Sequence, residues 1–159
     1  MTDNLDMLTR LASEAAIQRL HATYIHRLDS ADFAGVAEVL QHAELDVLGN
    51  LTCGRENLQR FFEAGLQLHA DGTPRTWHTM ANVLIDIDPS GDKASSASYY
   101  TVHQQLEGFA LQPICTGKYL DQFERHHGQW RFTRRAVTLS LAGDLRHHVK
   151  GQNDETVGR

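Results

Sequence analysis

The fold is decided by residues 76–107, which read TWHTMANVLIDIDPSGDKASSASYYTVHQQLE. On both sides of the central Pro89-Ser90-Gly91-Asp92 the apolar side chains recur at about every second position, and β-branched and aromatic residues are frequent. A period of two is typical of strands, and a Pro-Ser-Gly-Asp sequence is typical of a turn. We therefore expect a long antiparallel hairpin that pairs residues 76–88 with residues 93–107.

The flanking sequence predicts helices before this hairpin and a second hairpin after it. Upstream, apolar side chains recur at three- and four-residue spacing, and Ser13 and Asp32 stand where helix caps are expected. Downstream, the period of two continues on both sides of His126-His127-Gly128. In chain order, the further predicted elements are helices over 13–29, 33–40 and 55–69, a strand over 44–48 that ends at Gly49-Asn50, and strands over 113–125 and 129–141.

Helices followed by a meander of long antiparallel strands indicate an α+β domain, in which the helices cover one face of a curved sheet. We expect one domain over residues 1–143. Residues 144–159 are polar and without a period, so we expect a tail that is loosely ordered or packs on a partner subunit. A sheet of this shape leaves a cavity at its open end. Polar side chains that point toward the cavity are site candidates, because burying them costs free energy unless they are paired or used.

Composition narrows the function classes. The chain has 159 residues, 41% of them hydrophobic, and a formal charge of −5, which disfavours a nucleic-acid partner. No apolar run is long enough for a membrane span, and the acidic N-terminus does not resemble a signal peptide, so we expect a soluble, cytoplasmic protein. Cys53 and Cys115 form no paired metal motif, and the ten histidines show no zinc-binding spacing, so we expect no metal and no cofactor.

Asp29 is a candidate because it stands at the C-terminal end of the first predicted helix. The helix macrodipole disfavours an anion at that end by about 0.3–1 kcal/mol. Asp29 could instead belong to the turn Asp29-Ser30-Ala31-Asp32 and bond to its free backbone amides, and position alone does not decide between the two interpretations.

Two histidines are candidates on the first hairpin. With the turn centred near Ser90-Gly91, the expected register places His78 directly across from His103. Such a pair could serve acid/base chemistry or be a solvated hydrogen-bonded pair at a sheet edge. On the face of His78 we expect Met80, Asn82 and Leu84, and on the outer face Val83, Ile85 and Ile87, an apolar set that predicts a homodimer or homotrimer.

Tyr24 and Arg135 complete the candidate catalytic set. Tyr24 lies on the buried stripe of the first helix, where its phenol could donate into the cavity or simply pack in the core. Arg135 lies among apolar residues of the last strand, where an arginine needs an anionic partner or a substrate.

Several segments in order resemble the SnoaL-like branch of the nuclear transport factor 2-like superfamily. These are the opening 11–20 (LASEAAIQRL), the turn 28–33 (LDSADF), the strand start Trp77-His78, and the hairpin from Tyr119-Leu120-Asp121 to Trp130-Arg131-Phe132. The resemblance covers about residues 5–143. It implies a cone in which a highly curved sheet wraps helices around a pocket.

The resemblance also implies roles. In dehydratases and a dehydrochlorinase of this superfamily, an Asp at the end of the first helix orients a His that removes a proton from the substrate, and the matching positions are Asp29 and His78. His103 matches a second histidine, Arg135 matches a last-strand arginine, and Tyr24 matches a tyrosine five residues before the Asp. The dehydrochlorinase has a lysine at the position of Tyr24, so this chain departs from it there.

These observations lead to the hypothesis of a cofactor-free acid/base lyase or isomerase, dehydratase-like, that acts on a small apolar cyclic or polyketide-like molecule. His78 would be the base, Asp29 would orient it, His103 or Tyr24 would donate a proton, and Arg135 or Asn82 would hold a substrate oxygen. The alternatives are a non-catalytic binding module and an oligomeric assembly module similar to a dioxygenase β subunit. The substrate-binding residues would be Asn82, Met80, Leu84, Phe61, Phe62, Leu66 and Tyr119.

Overall fold

The computed structural model describes residues 2–151, with side chains from residue 7 onward. Its helices are α1 (Thr2–Asp29), α2 (Phe33–Val39) and α3 (Arg55–Gly65). Its strands are β1 (Glu44–Val47), β2 (Asn50–Cys53), β3 (Thr76–Ile87), β4 (Lys93–Leu106), β5 (Phe109–His126) and β6 (Gln129–Ala142). No helix within residues 2–151 combines the length and the apolar character of a membrane span.

The helix predictions are right in position and differ at the ends. Asp32 caps α2 as expected, because its side chain accepts a hydrogen bond from the Gly35 amide. α1 begins well before Ser13, whose hydroxyl lies inside the helix and donates to the Thr9 carbonyl, because the preceding residues include neither glycine nor proline. α3 ends at Gly65 rather than at residue 69, and the chain is already extended at Leu66.

The six strands form a curved, unclosed sheet in the order β2-β1-β6-β5-β4-β3, and α1 packs against β3 and β6 of this sheet. The predicted α+β cone is therefore confirmed. One pair departs from the predicted antiparallel arrangement, because β1 pairs with β6 in parallel. β2 is an additional strand, since the chain reverses at Leu48 and Gly49 and pairs back onto β1. β5 begins at Phe109, directly after a tight turn at Gly108, four residues earlier than predicted.

Between the turn and Leu84 the first hairpin has the predicted register, but an extra residue in β3 between Ala81 and Leu84 shifts the pairing of residues 76–81 by one residue. Trp77 pairs with His103, and His78 pairs with Val102. Because directly paired residues share a face of the sheet, His103 lies with the exposed Trp77 on the outer face, and His78 lies with the buried Val102 on the inner face. The prediction that His78 and His103 face each other is wrong.

A β-bulge between Ala81 and Leu84 reverses the two faces of β3. Asn82 has a positive φ of 52°, a backbone conformation that asparagine tolerates better than most residues. Beyond the bulge, Leu84 is 69% exposed, whereas Val83, Ile85 and Ile87 turn inward and are half-buried. The predicted outer face of Val83, Ile85 and Ile87 is therefore wrong, because the prediction assumed an uninterrupted alternation.

Residues 143–151 are packed on their own chain, contrary to the prediction of a loosely ordered or partner-bound tail. The amide of Gln67 donates to the carbonyl of His148 at 2.9 Å, and the amide of Lys150 donates to the carbonyl of Gly65 at 2.9 Å. Leu145 is buried in the core. The segment thus packs beside the end of α3, where Val149 pairs with Leu66. Residues 152–159 of the predicted tail lie outside the described residues.

A charged cluster is buried between α1 and the sheet. Arg135 is fully buried, and its guanidinium donates to both carboxylate oxygens of Asp121, at 2.9 and 3.0 Å. Its Nη2 also donates to Nδ1 of His21 at 2.8 Å. Since that nitrogen accepts, Nε2 of the neutral ring carries the proton and donates to the Ser96 hydroxyl at 3.1 Å. Burial, and secondarily the charge of Arg135, lowers the pKa of His21 to about 3.

This cluster predicts a loss of stability in mild acid. The folded protein keeps His21 neutral down to about pH 3, whereas the unfolded chain protonates it below its ordinary pKa of 6.5, so the free energy of unfolding falls as the pH drops through that interval. Between about pH 5 and pH 6, we expect His21→Gln to remove roughly 1 kcal/mol per pH unit from the slope of stability against pH. Urea denaturation at several pH values measures that slope.

The matched control is His26→Gln, which removes an exposed histidine from the same helix and should leave the slope at the wild-type value. Equal slopes for the wild type and His21→Gln would contradict a neutral, buried His21.

Candidate active site

The centre of the candidate site is the contact between the end of α1 and the start of β3. Oδ1 of Asp29 accepts hydrogen bonds from Nδ1 of His78 at 2.6 Å and from the Thr76 hydroxyl at 2.8 Å. Oδ2 of Asp29 accepts from the backbone amide of His78 at 2.9 Å. These three bonds offset the unfavourable position of a carboxylate at a helix C-terminus. The carboxylate thus joins β3, which decides against the interpretation that Asp29 bonds within its own turn.

The geometry of this pair fixes the proton on His78. Burial raises the pKa of Asp29, but the hydrogen bonds and charge of His78 and the hydrogen bond from Thr76 lower it by more, so the net pKa lies below its ordinary value. Asp29 is therefore ionised near neutral pH and can only accept. Nδ1 of a neutral His78 must carry the proton, which leaves the lone pair on Nε2. Within residues 7–151, no hydrogen bond to Nε2 is formed.

His78 lies on the wall of a cavity of about 300 Å³, which is lined by residues of α1, of α3 and of the sheet. This volume is at the lower end of the range of small-molecule sites. The residues that line the cavity are mainly aliphatic and aromatic: Tyr24, Leu28, Val47, Leu48, Phe61, Phe62, Gly65, Leu66, His78, Tyr100, Val102, Cys115, Tyr119, Val137, Leu139, Leu145, His148 and Val149.

Part of the predicted site is assembled at this cavity. Asp29 and His78 are in contact, and five of the other predicted residues lie on the cavity wall: Tyr24, Phe61, Phe62, Leu66 and Tyr119. Burial raises the pKa of both tyrosines, that of Tyr24 despite the opposing influence of Arg135, so their hydroxyl groups stay protonated.

Other predicted residues do not reach the cavity. His103 lies on the outer face of the sheet, as the register requires. Asn82 and Leu84 are exposed because of the bulge in β3. Met80 is half-buried on the inner face, where it packs against the core and does not line the cavity.

Arg135 has the anionic partner that its sequence context requires, and that partner is Asp121. Its guanidinium lies behind the aromatic wall of the cavity, 4.3 Å from the ring centroid of Tyr24 and 4.1 Å from that of Tyr119. Because Arg135 is fully buried and does not line the cavity, the prediction that it holds a substrate oxygen is wrong.

Two residues that matter to the site were not predicted from the sequence. Thr76 supports Asp29, and its signal is a hydroxyl two positions before His78 on the same strand face. His148 lies on the cavity wall, its ring centroid 6.4 Å from that of His78. Its signal is the spacing of Leu145, His148 and Val149, three residues at helical intervals in an otherwise polar tail.

Among the residues that the structure describes, no group of three or more His, Cys, Asp or Glu side chains could hold a metal ion.

Cys115 lines the cavity as a buried thiol, and burial raises its pKa to about 11. It is therefore protonated near neutral pH and unsuited to attack a substrate.

Comparison of the structure with solved structures shows the same fold in several proteins. A protein of the nuclear transport factor 2-like group with a cystatin-like fold, from Novosphingobium aromaticivorans, has a TM-score of 0.73 at 23% identity, with 87% of this chain and 89% of that chain covered. A candidate scytalone dehydratase from the same organism has a TM-score of 0.69 at 23% identity, with 91% of each chain covered. A hexachlorocyclohexane dehydrochlorinase from Novosphingobium barchaimii has a TM-score of 0.68 at 23% identity, with 91% of this chain and 95% of that chain covered.

At these identities the similarity concerns the fold alone. No curated protein matches the chain. The sequence matches the SnoaL-like domain over residues 9–136, which is most of the chain and includes Asp29 and His78. The resemblance inferred from the sequence is thereby confirmed, and the chain belongs to the SnoaL-like domain family, with a nuclear transport factor 2-like fold.

Proposed function

We propose that the protein is an acid/base lyase or isomerase, dehydratase-like, that uses its own side chains on a small apolar cyclic or polyketide-like molecule. The observation that carries the proposal is the Asp29–His78 pair on the wall of a mainly apolar cavity. A candidate dehydratase and a dehydrochlorinase among the structural relatives are compatible with this chemistry.

His78 is the general base in this proposal. The hydrogen bond of Nδ1 to Asp29 leaves a lone pair on Nε2, which can take a proton from a carbon next to a carbonyl group. In an isomerisation, His78 returns that proton to another carbon of the substrate. In a dehydration, it passes the proton to the leaving hydroxyl group, so that water departs.

Asp29 is the positioning residue for this base. It holds the ring by a short hydrogen bond at one edge, and it is itself held by Thr76 and by the His78 amide. When His78 takes up a proton, the adjacent carboxylate stabilises the imidazolium. Because both side chains are largely buried, at 6% exposure for His78 and 18% for Asp29, solvent weakens this interaction little.

Tyr24 is the proposed partner for the oxygen on which negative charge develops, and Tyr119 is a second phenol on the same wall. Since burial keeps both phenols protonated, they can donate hydrogen bonds to an enolate or to a departing hydroxyl group. Phe61, Phe62 and Leu66 provide the apolar wall that excludes water.

We also propose a homodimer or homotrimer, which the outer sheet face supports, although not through the residues first predicted. Trp77, Leu84, Tyr99, Leu120 and Leu141 are large apolar side chains on that face, and Trp77 is 71% exposed. Leu84 and Leu120 both pair with Ala97, so they form one continuous apolar row across three strands.

The free thiols of Cys53 and Cys115 suit a reducing compartment, and we propose the cytoplasm.

Deuterium exchange tests the general base without knowledge of the natural substrate. We expect the protein to accelerate exchange at the carbon next to the carbonyl group of at least one of cyclohexanone, cyclohexenone and α-tetralone in D₂O, followed by proton NMR. His78→Gln and Asp29→Asn should each lower that rate roughly 10²–10⁴-fold, because one removes the base and the other removes the charge that orients and stabilises it.

Two variants serve as matched controls. Asp32→Asn changes the other carboxylate of the same turn and keeps a good helix cap, and His103→Gln changes the histidine on the outer face of the hairpin. Both should exchange the ketone at the wild-type rate. A wild-type rate no higher than that of His78→Gln for all three ketones would contradict the proposal and favour a non-catalytic binding module.

Light scattering after size-exclusion chromatography tests the oligomer. We expect a mass of two or three chains for the wild type and a shift toward one chain for Leu120→Glu, because a charge in the apolar row opposes its burial. Leu51→Glu, at an exposed position of β2, is the control and should leave the mass unchanged. A wild-type mass of one chain would contradict the proposed assembly.

A further inference from the structure

His148 is a polar side chain on the cavity wall for which the proposed reaction has given no role. It lies in the segment after β6, between Leu145 and Val149, which also line the cavity. Only 8% of His148 is exposed, and its ring is tilted by 58° against that of His78, at 6.4 Å between the centroids. His148 and His78 therefore form one polar end in a cavity that is otherwise mainly aliphatic and aromatic.

The backbone around His148 is held firmly at this place. The His148 amide donates to the carbonyl of Leu145, and its carbonyl accepts from the amide of Gln67, both at 2.9 Å. The carbonyl of the preceding His147 accepts from the His69 ring at 2.9 Å and from the Gln104 side chain at 3.0 Å. The imidazole of His148 is thus presented to the cavity by a fixed loop.

No structural role within the described residues accounts for the imidazole. Its Nδ1 is buried and has no hydrogen-bond partner in the part of the chain that the structure describes. By contrast, both ring nitrogens of the buried His21 have partners. An unpartnered polar atom in an apolar wall is unfavourable unless something that enters the cavity bonds to the ring.

His148 is also a neutral imidazole. Burial, and secondarily the nearby His78, lowers its pKa to about 4. A neutral ring has one nitrogen that donates and one that accepts, and half a turn about the Cβ–Cγ bond exchanges its two edges. It can therefore donate to a carbonyl oxygen or accept from a hydroxyl group, without competing with His78 for the proton that leaves the substrate.

We propose that His148 is a substrate-binding residue that hydrogen-bonds an oxygen atom of the ligand, at the end of the cavity where His78 faces the reacting carbon. This inference deepens the proposed function and rests on it for the role of His78. It narrows the substrate class to ring compounds that carry a carbonyl or hydroxyl oxygen beside the carbon that loses its proton, with an apolar remainder that fits the aromatic wall.

A matched pair of ligands tests this inference by binding alone. α-Tetralone and tetralin share one ring skeleton, and only α-tetralone has an oxygen atom. We expect wild-type protein, titrated by calorimetry or NMR, to bind α-tetralone more tightly than tetralin. His148→Phe, which keeps an aromatic ring and removes both nitrogens, should weaken α-tetralone binding about tenfold and leave tetralin binding nearly unchanged. His148→Gln, which keeps polar atoms, should retain part of the preference.

The control is His147→Phe, since His147 packs its ring on Phe109 and does not line the cavity. It should bind both ligands as the wild type does. In ¹⁵N-labelled protein, a ring-nitrogen resonance of His148 should shift when α-tetralone is added and stay in place when tetralin is added, which a purely structural histidine would not show.

Equal losses of affinity for both ligands in His148→Phe would overturn the inference, because they would assign His148 to packing. Failure of the wild type to bind α-tetralone, or to prefer it over tetralin, would overturn it as well. These outcomes are independent of the proposed reaction: if His148 selects α-tetralone while deuterium exchange is absent, the binding role stands and the general-base role of His78 fails.

Discussion

The site depends on one hydrogen-bonded contact, that between Asp29 at the end of α1 and the first residues of β3. It places a carboxylate where the helix dipole disfavours one, so the anion is stable only because Thr76 and His78 donate to it. The same bonds fix the edge of the His78 ring that carries the proton and turn the opposite edge away from Asp29. The contact that joins α1 to β3 therefore also orients His78 as a base.

The two buried ionic groups differ in whether a histidine ring nitrogen remains free to bind a ligand. Around Arg135, Asp121 accepts hydrogen bonds at both carboxylate oxygens, and both ring nitrogens of His21 have hydrogen-bond partners within the protein. The histidine of this cluster therefore has no ring nitrogen left for a ligand. Around Asp29, only one ring nitrogen of His78 is used, and the ring borders a cavity. The first cluster therefore supports the core and the aromatic wall, while the second has a lone pair to offer a ligand. Arg135 touches that wall from behind, through the rings of Tyr24 and Tyr119.

Periodicity was sufficient to predict the helices, the long strands and the curved sheet, because these follow from local patterns and from the order of the elements. The pairing of Asp29 with His78 was implied by the resemblance to the SnoaL-like branch, since the position of Asp29 alone left two interpretations open. Periodicity failed where a single residue changes the face or the register of a strand. The bulge at Asn82 reversed the faces of β3 and shifted the pairing of residues 76–81 by one residue, which places His103 on the outer face, and no alternation rule reveals such a bulge. It also failed for His148, because a short segment without a long period is ordered only by long-range hydrogen bonds to residues such as Gln67. For the Arg135–Asp121 pair, the sequence predicted that a buried arginine needs an anionic partner or a substrate. It did not indicate which residue provides the anion.

The site depends on Asp29 holding His78 with the proton on Nδ1 and the lone pair on Nε2. The most direct measurement is the ¹⁵N chemical shift of both ring nitrogens of His78, in labelled protein at a pH where the ring is neutral. We expect a protonated Nδ1 and an unprotonated Nε2 in the wild type, with a loss of this preference in Asp29→Ala. A protonated Nε2 in the wild type would contradict it, because the edge assigned to proton abstraction would then have no lone pair to accept a proton.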